Sequence, residues 1–156
     1  MANNRHPWTP TDPVIKAAHD DCLLQFIRSA ESSFDYVLAY AHDMTPIEQV
    51  VMYALHATRQ WEPDLYIKPQ YKVGKYTADF MVEFGSRGEK PTQYIIECDG
   101  HDFHERTKEQ AQHDKERDRH MQSLGFKVYR FTGSEIWKSK GYCVVQALLV
   151  PAELRG

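Results

Sequence analysis

The chain has 156 residues, 42% of them hydrophobic and 26% charged, the balance of one globular domain rather than of a disordered or fibrous chain. At this length folding buries roughly 70% of the surface the unfolded chain exposes, so neither disulfides nor a metal is needed for stability. A net charge of −3 excludes a generally basic nucleic-acid coat, and any phosphate contact must come from a local basic face or from metal held by carboxylates.

Residues 1–12 are polar and rich in Pro and Thr, a loose lead-in. Over residues 13–30, Val14, Ala17, Ala18, Cys22, Leu23, Phe26 and Ile27 fall at helical spacing, with Asp12 as N-cap before Pro13. Residues 34–41 are ambiguous, with a short helix as one reading. A cleaner helix starts at Thr45-Pro46-Ile47-Glu48, a capping box with Pro at N1, and continues through Val50, Val51, Ala54 and Leu55. Strands follow over 65–71 and 76–84, joined by the turn at 72–75, and Pro69 marks the first as an edge or bulged strand. A polar turn at 85–90 leads to a third strand over 93–99. Residues 105–124 form a highly charged helix with Ala111, Met121 and Leu124 at helical spacing and Gly125 as its C′ glycine. Residues 126–131 alternate as a strand, 133 onward opens a short helix, and 143–149 reads as a last one. The order predicts an α/β layered domain: helices, an antiparallel meander, a crossover helix, a further strand and a C-terminal helix.

The most apolar stretch, 144–150, is interrupted by Gln146 and is far too short to span a membrane. The first residues lack the apolar core of a secretory signal. Cys22, Cys98 and Cys143 are odd in number and widely spaced, which suits a reducing, cytoplasmic setting.

Chemistry concentrates in four acids and a histidine pair. Asp79 interrupts an apolar run, and Glu97 and Asp99 share one face of the third strand while Ile96 and Cys98 share the other. If the second and third strands pair through the 85–90 turn, Asp79 and Glu97 lie side by side. Two such carboxylates repel and call for a neutralising cation, for which Mg²⁺ is the natural oxygen-liganded choice. The plain structural alternative leaves both acids exposed on an open sheet face, with Asp99-Gly100 as a turn. His101 and His104 follow the strand end, where catalytic groups are common, though loop histidines are more often merely solvated. On the charged helix Asp114 lies on the stripe of Met121 and wants a partner: His104, Arg117 or a metal. The remaining charges there read as a solvated, salt-bridged surface. Glu48 at N3 can cap its own helix without any catalytic duty.

Taken in order, Thr45-Pro46-x-Glu48, Tyr76-x-Ala78-Asp79-Phe80, Ile96-Glu97-x-Asp99-Gly100 with His104, and Asp114-x-x-Arg117-Asp118-x-x-Met121-x-x-Leu124-Gly125 through Arg130-Phe131 resemble the PD-(D/E)XK nuclease superfamily. The nearest branch is the one resembling very-short-patch-repair (Vsr-like) endonucleases and related homing-type catalytic domains. The resemblance covers residues 45–137. It implies a restriction-endonuclease-like mixed central sheet flanked by helices, in a single domain over 1–156 with a helical extension at 1–44 and a C-terminal helix at 138–156. It also implies Mg²⁺-dependent hydrolysis of DNA phosphodiesters, with Mn²⁺ able to substitute. By position, Asp79, Glu97 and the Cys98 carbonyl resemble the metal ligands. His104 and Asp114 resemble the catalytic histidine and its acid, and Glu48 the first-helix glutamate. Asp99, His101, Gln70 and Arg117 are secondary candidates. The superfamily's usual lysine, two residues after the second acid, is replaced here by Asp99, which favours a histidine-based variant.

Lys68, Lys72 and Lys75 form the one compact basic group near the sheet, either tracking the DNA backbone or simply a solvated turn. Sequence choice would need loops, a homodimer or a specificity partner. Two alternatives stand beside the nuclease: a catalytically inactive DNA-binding module on the same fold, and a zinc site built from Cys98, His101, His104 and either His113 or Asp114.

Overall fold

The computed structural model describes residues 13–14, 17, 20–21, 44–59, 62–85, 90–100 and 107–149. Two compact units are distinguished: Pro63–Gly133, and Met1–Glu62 together with Ser134–Gly156.

The larger structural element of the Pro63–Gly133 unit is a four-stranded sheet in the order β1-β2-β3-β4. Its strands are β1 (Tyr66–Val73), β2 (Tyr76–Phe84), β3 (Thr92–Asp99) and β4 (Lys127–Thr132). The first three form the expected antiparallel meander, and β4 returns parallel to β3. A parallel return needs a crossover, supplied by a charged helix of residues Lys108–Ser123. This mixed α/β order is the one the periodicity predicts.

The crossover helix is bounded by local chemistry at both ends. Thr107 and Gln110 make a reciprocal capping box, with Gln110 N–H donating to Thr107 Oγ1 at 3.1 Å and Thr107 N–H donating to Gln110 Oε1 at 3.0 Å. At the other end Gly125 adopts φ 95°. Its N–H donates to Gln122 O at 3.0 Å, and Phe126 N–H donates to Met121 O at 3.3 Å, the paired bonds of a Schellman stop. The start at Lys108 falls three residues later than the charged run suggests; residues 105 and 106 lie outside the described residues.

Only one side chain of this helix, Met121, is fully buried. It packs with Val73, Ala78, Met81 and Ile95, and Tyr71, Tyr76, Phe126 and Val128 close the cluster. Deleting Met121 to Ala would cost about 2–5 kcal/mol. The rest of the inward surface is ionic, which is how a helix this polar can dock on a sheet and why the site forms beneath it.

Among the described residues β1 pairs on one side only, as Pro69 suggests. Its ladder is recorded at Pro69↔Phe80 and Tyr71↔Ala78 but not between them. There Gln70 takes a left-handed φ of 49°, a conformation costing a non-glycine residue about 1 kcal/mol.

The other unit contains α1 (Pro46–Thr58), α3 (Gly133–Ser139, whose first residue belongs to the sheet unit) and α4 (Tyr142–Leu149); the crossover helix is α2 in this numbering. α1 starts at the anticipated capping box with Pro at N1 and buries Val50, Val51 and Leu55. α1 and α4 pack together, and Gly141 permits the approach. At φ 81°, a Cβ there would stand 3.0 Å from both Ala54 Cβ and Val50 O. Pro13, Val14, Ala17, Asp20 and Asp21 are helical, as the 13–30 periodicity predicts for them, and Asp21 pairs with Lys140. The 34–41 segment lies outside the described residues.

Candidate active site

The β2–β3 register carries the acids together. Phe80 pairs with Ile96, so one step farther Asp79 stands opposite Glu97. Here the ladder gives way to side-chain bonding: Cys98 N–H donates to Asp79 Oδ2 at 2.8 Å. The two carboxyl groups lie close enough that each shifts the other's protonation.

Two buried carboxyl groups side by side resist carrying two charges, and the surroundings explain why. Glu97 is only 3% exposed. Burial, then the neighbouring Asp79 charge, pushes its carboxyl up to about 8, against the opposing pull of Arg117. Burial also raises Asp79, while the Cys98 N–H and then the Glu97 carboxyl draw it back. The pair titrates as one unit.

α2 closes over this end of the sheet. Arg117 Nη2 donates to Glu97 Oε1 and to Thr77 O, each at 2.5 Å. One guanidinium thus ties the helix to β2 and β3. Beside it, Arg130 of β4 lies opposite Glu97 in the parallel register. It donates to both carboxylate oxygens of Asp118 at 2.8 and 2.7 Å and to Asp99 Oδ1 at 3.1 Å, with Asp114 at 4.0 Å. Burial works against the Arg130 charge, but the bond and charge of Asp118, then Asp99 and Glu97, outweigh it and raise the group above its ordinary value.

These contacts settle where the predicted residues stand. Asp79, Glu97 and Cys98 come together, with Arg117 upon Glu97. Asp99 shares the Glu97 face, as alternation predicts, and is held by Arg130. Asp114 has Arg130 as its neighbour, a partner that the choice among His104, Arg117 and a metal did not contain. Gln70 stands level with Asp79 at the break in the β1–β2 ladder. Glu48 is 8% exposed in α1 and accepts from Thr45 N–H at 3.4 Å, the capping duty anticipated for it. Lys68 lies over the rings of Tyr66 and Tyr71, at 5.3 and 5.8 Å, and Lys75 over Tyr76 at 5.2 Å. Lys72 is exposed opposite Thr77. His101 and His104 lie outside the described residues.

Arg130 is the organising residue that sequence reasoning overlooks. Its signal is parity with the core-facing Val128, visible only once β4 is placed parallel to β3.

Among the described residues no group of three or more His, Cys, Asp or Glu side chains is arranged to hold a metal. His113, one option for the fourth zinc ligand, packs on the Tyr76 ring at 6.0 Å, while His101 and His104 of that alternative lie outside the described residues. The acid pair nonetheless suits a hard dication. Mg²⁺ characteristically takes one or two carboxylates and keeps several waters, and a cation would relieve the repulsion that now keeps a proton in the pair.

Among the described residues no helix is long and apolar enough to cross a membrane. No curated protein and no solved structure matches the chain, whereas the family model REase_MTES_1575, restriction endonuclease-like, matches residues 48–148. That span contains all but the first two residues of α1, the whole sheet, the acid pair and α2. The chain therefore belongs to this restriction-endonuclease-like family, a family of nucleases.

Proposed function

We propose that the chain is a metal-dependent DNA endonuclease of the Vsr-like kind, in which Asp79, Glu97 and the Cys98 carbonyl hold Mg²⁺, or Mn²⁺ in its place. The observation carrying this reading is the Asp79–Glu97 pair: two carboxyl groups, one almost wholly buried, pressed together until one must stay protonated. Such an arrangement costs stability and suits a site made for a cation.

Bound there, Mg²⁺ supplies Lewis acidity toward a phosphate oxygen and lowers the pKa of a coordinated water. The chain's own residues do the rest. Asp79 is fixed by the Cys98 amide and presents a negative oxygen. Glu97 is held by Arg117 through Oε1, and its carboxyl would have to be ionised before both acids could act as ligands. The Arg130 cluster anchors Asp99 and α2, keeping Arg117 on Glu97. His104, with His101 as second candidate, carries a proton from the attacking water or to the leaving oxygen, a role worth about 10²–10⁴-fold in rate. The resemblance assigns Asp114 to orient that imidazole and Glu48 to support the site. Lys68, Lys72 and Lys75 contact the DNA backbone.

The test is cleavage of supercoiled plasmid with Mg²⁺, Mn²⁺ or EDTA, comparing the parent with Asp79→Asn, Glu97→Gln and His104→Ala. Metal-dependent nicking or linearisation lost in all three is the expected result. Full activity in Asp79→Asn, whose amide oxygen still accepts from Cys98, sinks the proposed site. A folded parent that shifts DNA on a gel yet cuts under no metal is instead a nuclease-fold binding module.

A further inference from the structure

Tyr76, just after the β1–β2 turn, is the centre of a cluster that meets the acid site through Arg117. Lys75 Nζ lies 5.2 Å from its ring centroid and Arg117 Cζ 5.8 Å. The rings of His113 and His120 stand at 6.0 and 5.6 Å, both inclined to it. His113, Arg117 and His120 follow one another at i, i+4 and i+7, a single stripe of α2. The turn itself closes against this stripe: a Cβ on Gly74 would stand 3.6 Å from His120 Nε2. Lys75, His113 and His120 are exposed.

In a chain of net charge −3 this grouping of N–H donors and cations is a local exception. Two of the nearby acids, Asp114 and Asp118, turn toward Arg130; Glu109 and Glu116 lie about one turn from the histidines on α2, Glu116 accepting a hydrogen bond from Gln112 at 3.2 Å. Arg117 joins the cluster to the acid pair, since the same guanidinium lies over Tyr76 and donates to Glu97. Its Nε is buried with no partner among the described residues. Because cations and imidazoles approach the Tyr76 ring from several sides, the cluster suits an anion better than a stacked base.

We propose that Lys75, His113 and His120, gathered around Tyr76 beside the acid pair, seat a backbone phosphate of the DNA strand outside the scissile position. This rests on the nuclease reading and adds where the strand runs, along the turn and the α2 stripe. Lys75 supplies charge and the imidazoles supply ring N–H donors.

The experiment measures binding of a fluorescein-labelled duplex to the full chain, with Ca²⁺ replacing Mg²⁺, between about 50 and 200 mM salt. Variants are Lys75→Gln, His113→Gln with His120→Gln, and the triple; Lys115→Gln, on another side of α2, is the control. The proposal expects Lys75→Gln to lower the slope of log affinity against log salt by about 1 and the triple variant to bind about tenfold more weakly. The control keeps the parental slope. A parental slope in both Lys75→Gln and the triple variant overturns the seat. Lys75→Gln, at an exposed turn, keeps the test decisive if the triple variant misfolds. Plasmid cleavage is scored separately: a parent that cuts while the variants keep its slope loses the seat and keeps the nuclease. A parent that binds no duplex also overturns the seat, and the Asp79→Asn comparison then judges the nuclease alone.

Discussion

Glu97→Gln is expected to stabilise the metal-free protein at alkaline pH while abolishing cleavage. The sign follows from linkage. The folded Glu97 carboxyl sits at about 8 instead of the ordinary 4.5, so between those values the folded state holds a proton that the unfolded chain has released. Stability contributed by this group is complete below about 4.5 and is lost as pH rises through 8. The ceiling on that loss is about 5 kcal/mol, spread over the coupled pair. A second buried group complicates the lower half of the window. Burial, then Arg59, depresses His56 from 6.5 to about 4, so its contribution is complete above 6.5 and lost on acidification. The two trends oppose each other below pH 6.5, leaving the Asp79–Glu97 pair without that opposition between 6.5 and 8. There the parent should lose about 2 kcal/mol at 1.36 kcal/mol per pH step. Urea unfolding in EDTA at a series of pH values measures it. In Glu97→Gln the amide can still donate to Asp79 and accept from Arg117, so this slope should disappear. Excess Mg²⁺ should restore the parent at pH 8 but not the variant. Parallel stability curves for parent and variant across that window would refute the account of the acid pair.

Three further outcomes follow from the same contacts. His56→Gln should remove most of the stability lost between pH 6.5 and 4, read from the same unfolding series; an unchanged acid limb places the sensitivity elsewhere. Arg130→Gln strands Asp99 and Asp118, both largely shielded from solvent, and should cost about 3 kcal/mol. This lowers the thermal midpoint by roughly 6–12 °C, and a change under about 2 °C would show that α2 does not depend on the cluster. Glu48→Gln keeps an oxygen for the Thr45 amide and should leave the thermal midpoint nearly unchanged while cleavage falls; intact cleavage restricts Glu48 to capping.

The elements were legible because their signals are local. The Thr45-Pro46-x-Glu48 box, the alternation through residues 76–84 and 93–99, and Gly125 each depend on a few neighbouring residues, and each stands in the structure where the pattern places it. The acid pair was half legible. Periodicity sets which face each acid takes, but the Asp79–Glu97 alignment required a register, and register depends on the whole hairpin. The partner of Asp114 was not legible at all. Arg130 is 16 residues farther along in sequence, and nothing near Asp114 marks it. The Tyr76 cluster was not legible either: His113 and Arg117 stood out singly, as a zinc-ligand candidate and a partner for Asp114, and no local pattern joins them with His120 to Tyr76 across the turn.

By itself the sequence determined an α/β order with a meander and a crossover, the faces of β3, and an acidic strand end followed by histidines. Those follow from side-chain period, turn chemistry and capping, which act over a few residues. Only the tertiary structure decided that burial beside Asp79 raises Glu97, that Arg117 grips it, and that Arg130 gathers Asp99, Asp114 and Asp118. These depend on burial and on charges brought together from different strands and from α2. Electrostatic energies in such a place grow as water is excluded, and water is excluded only when the chain has folded.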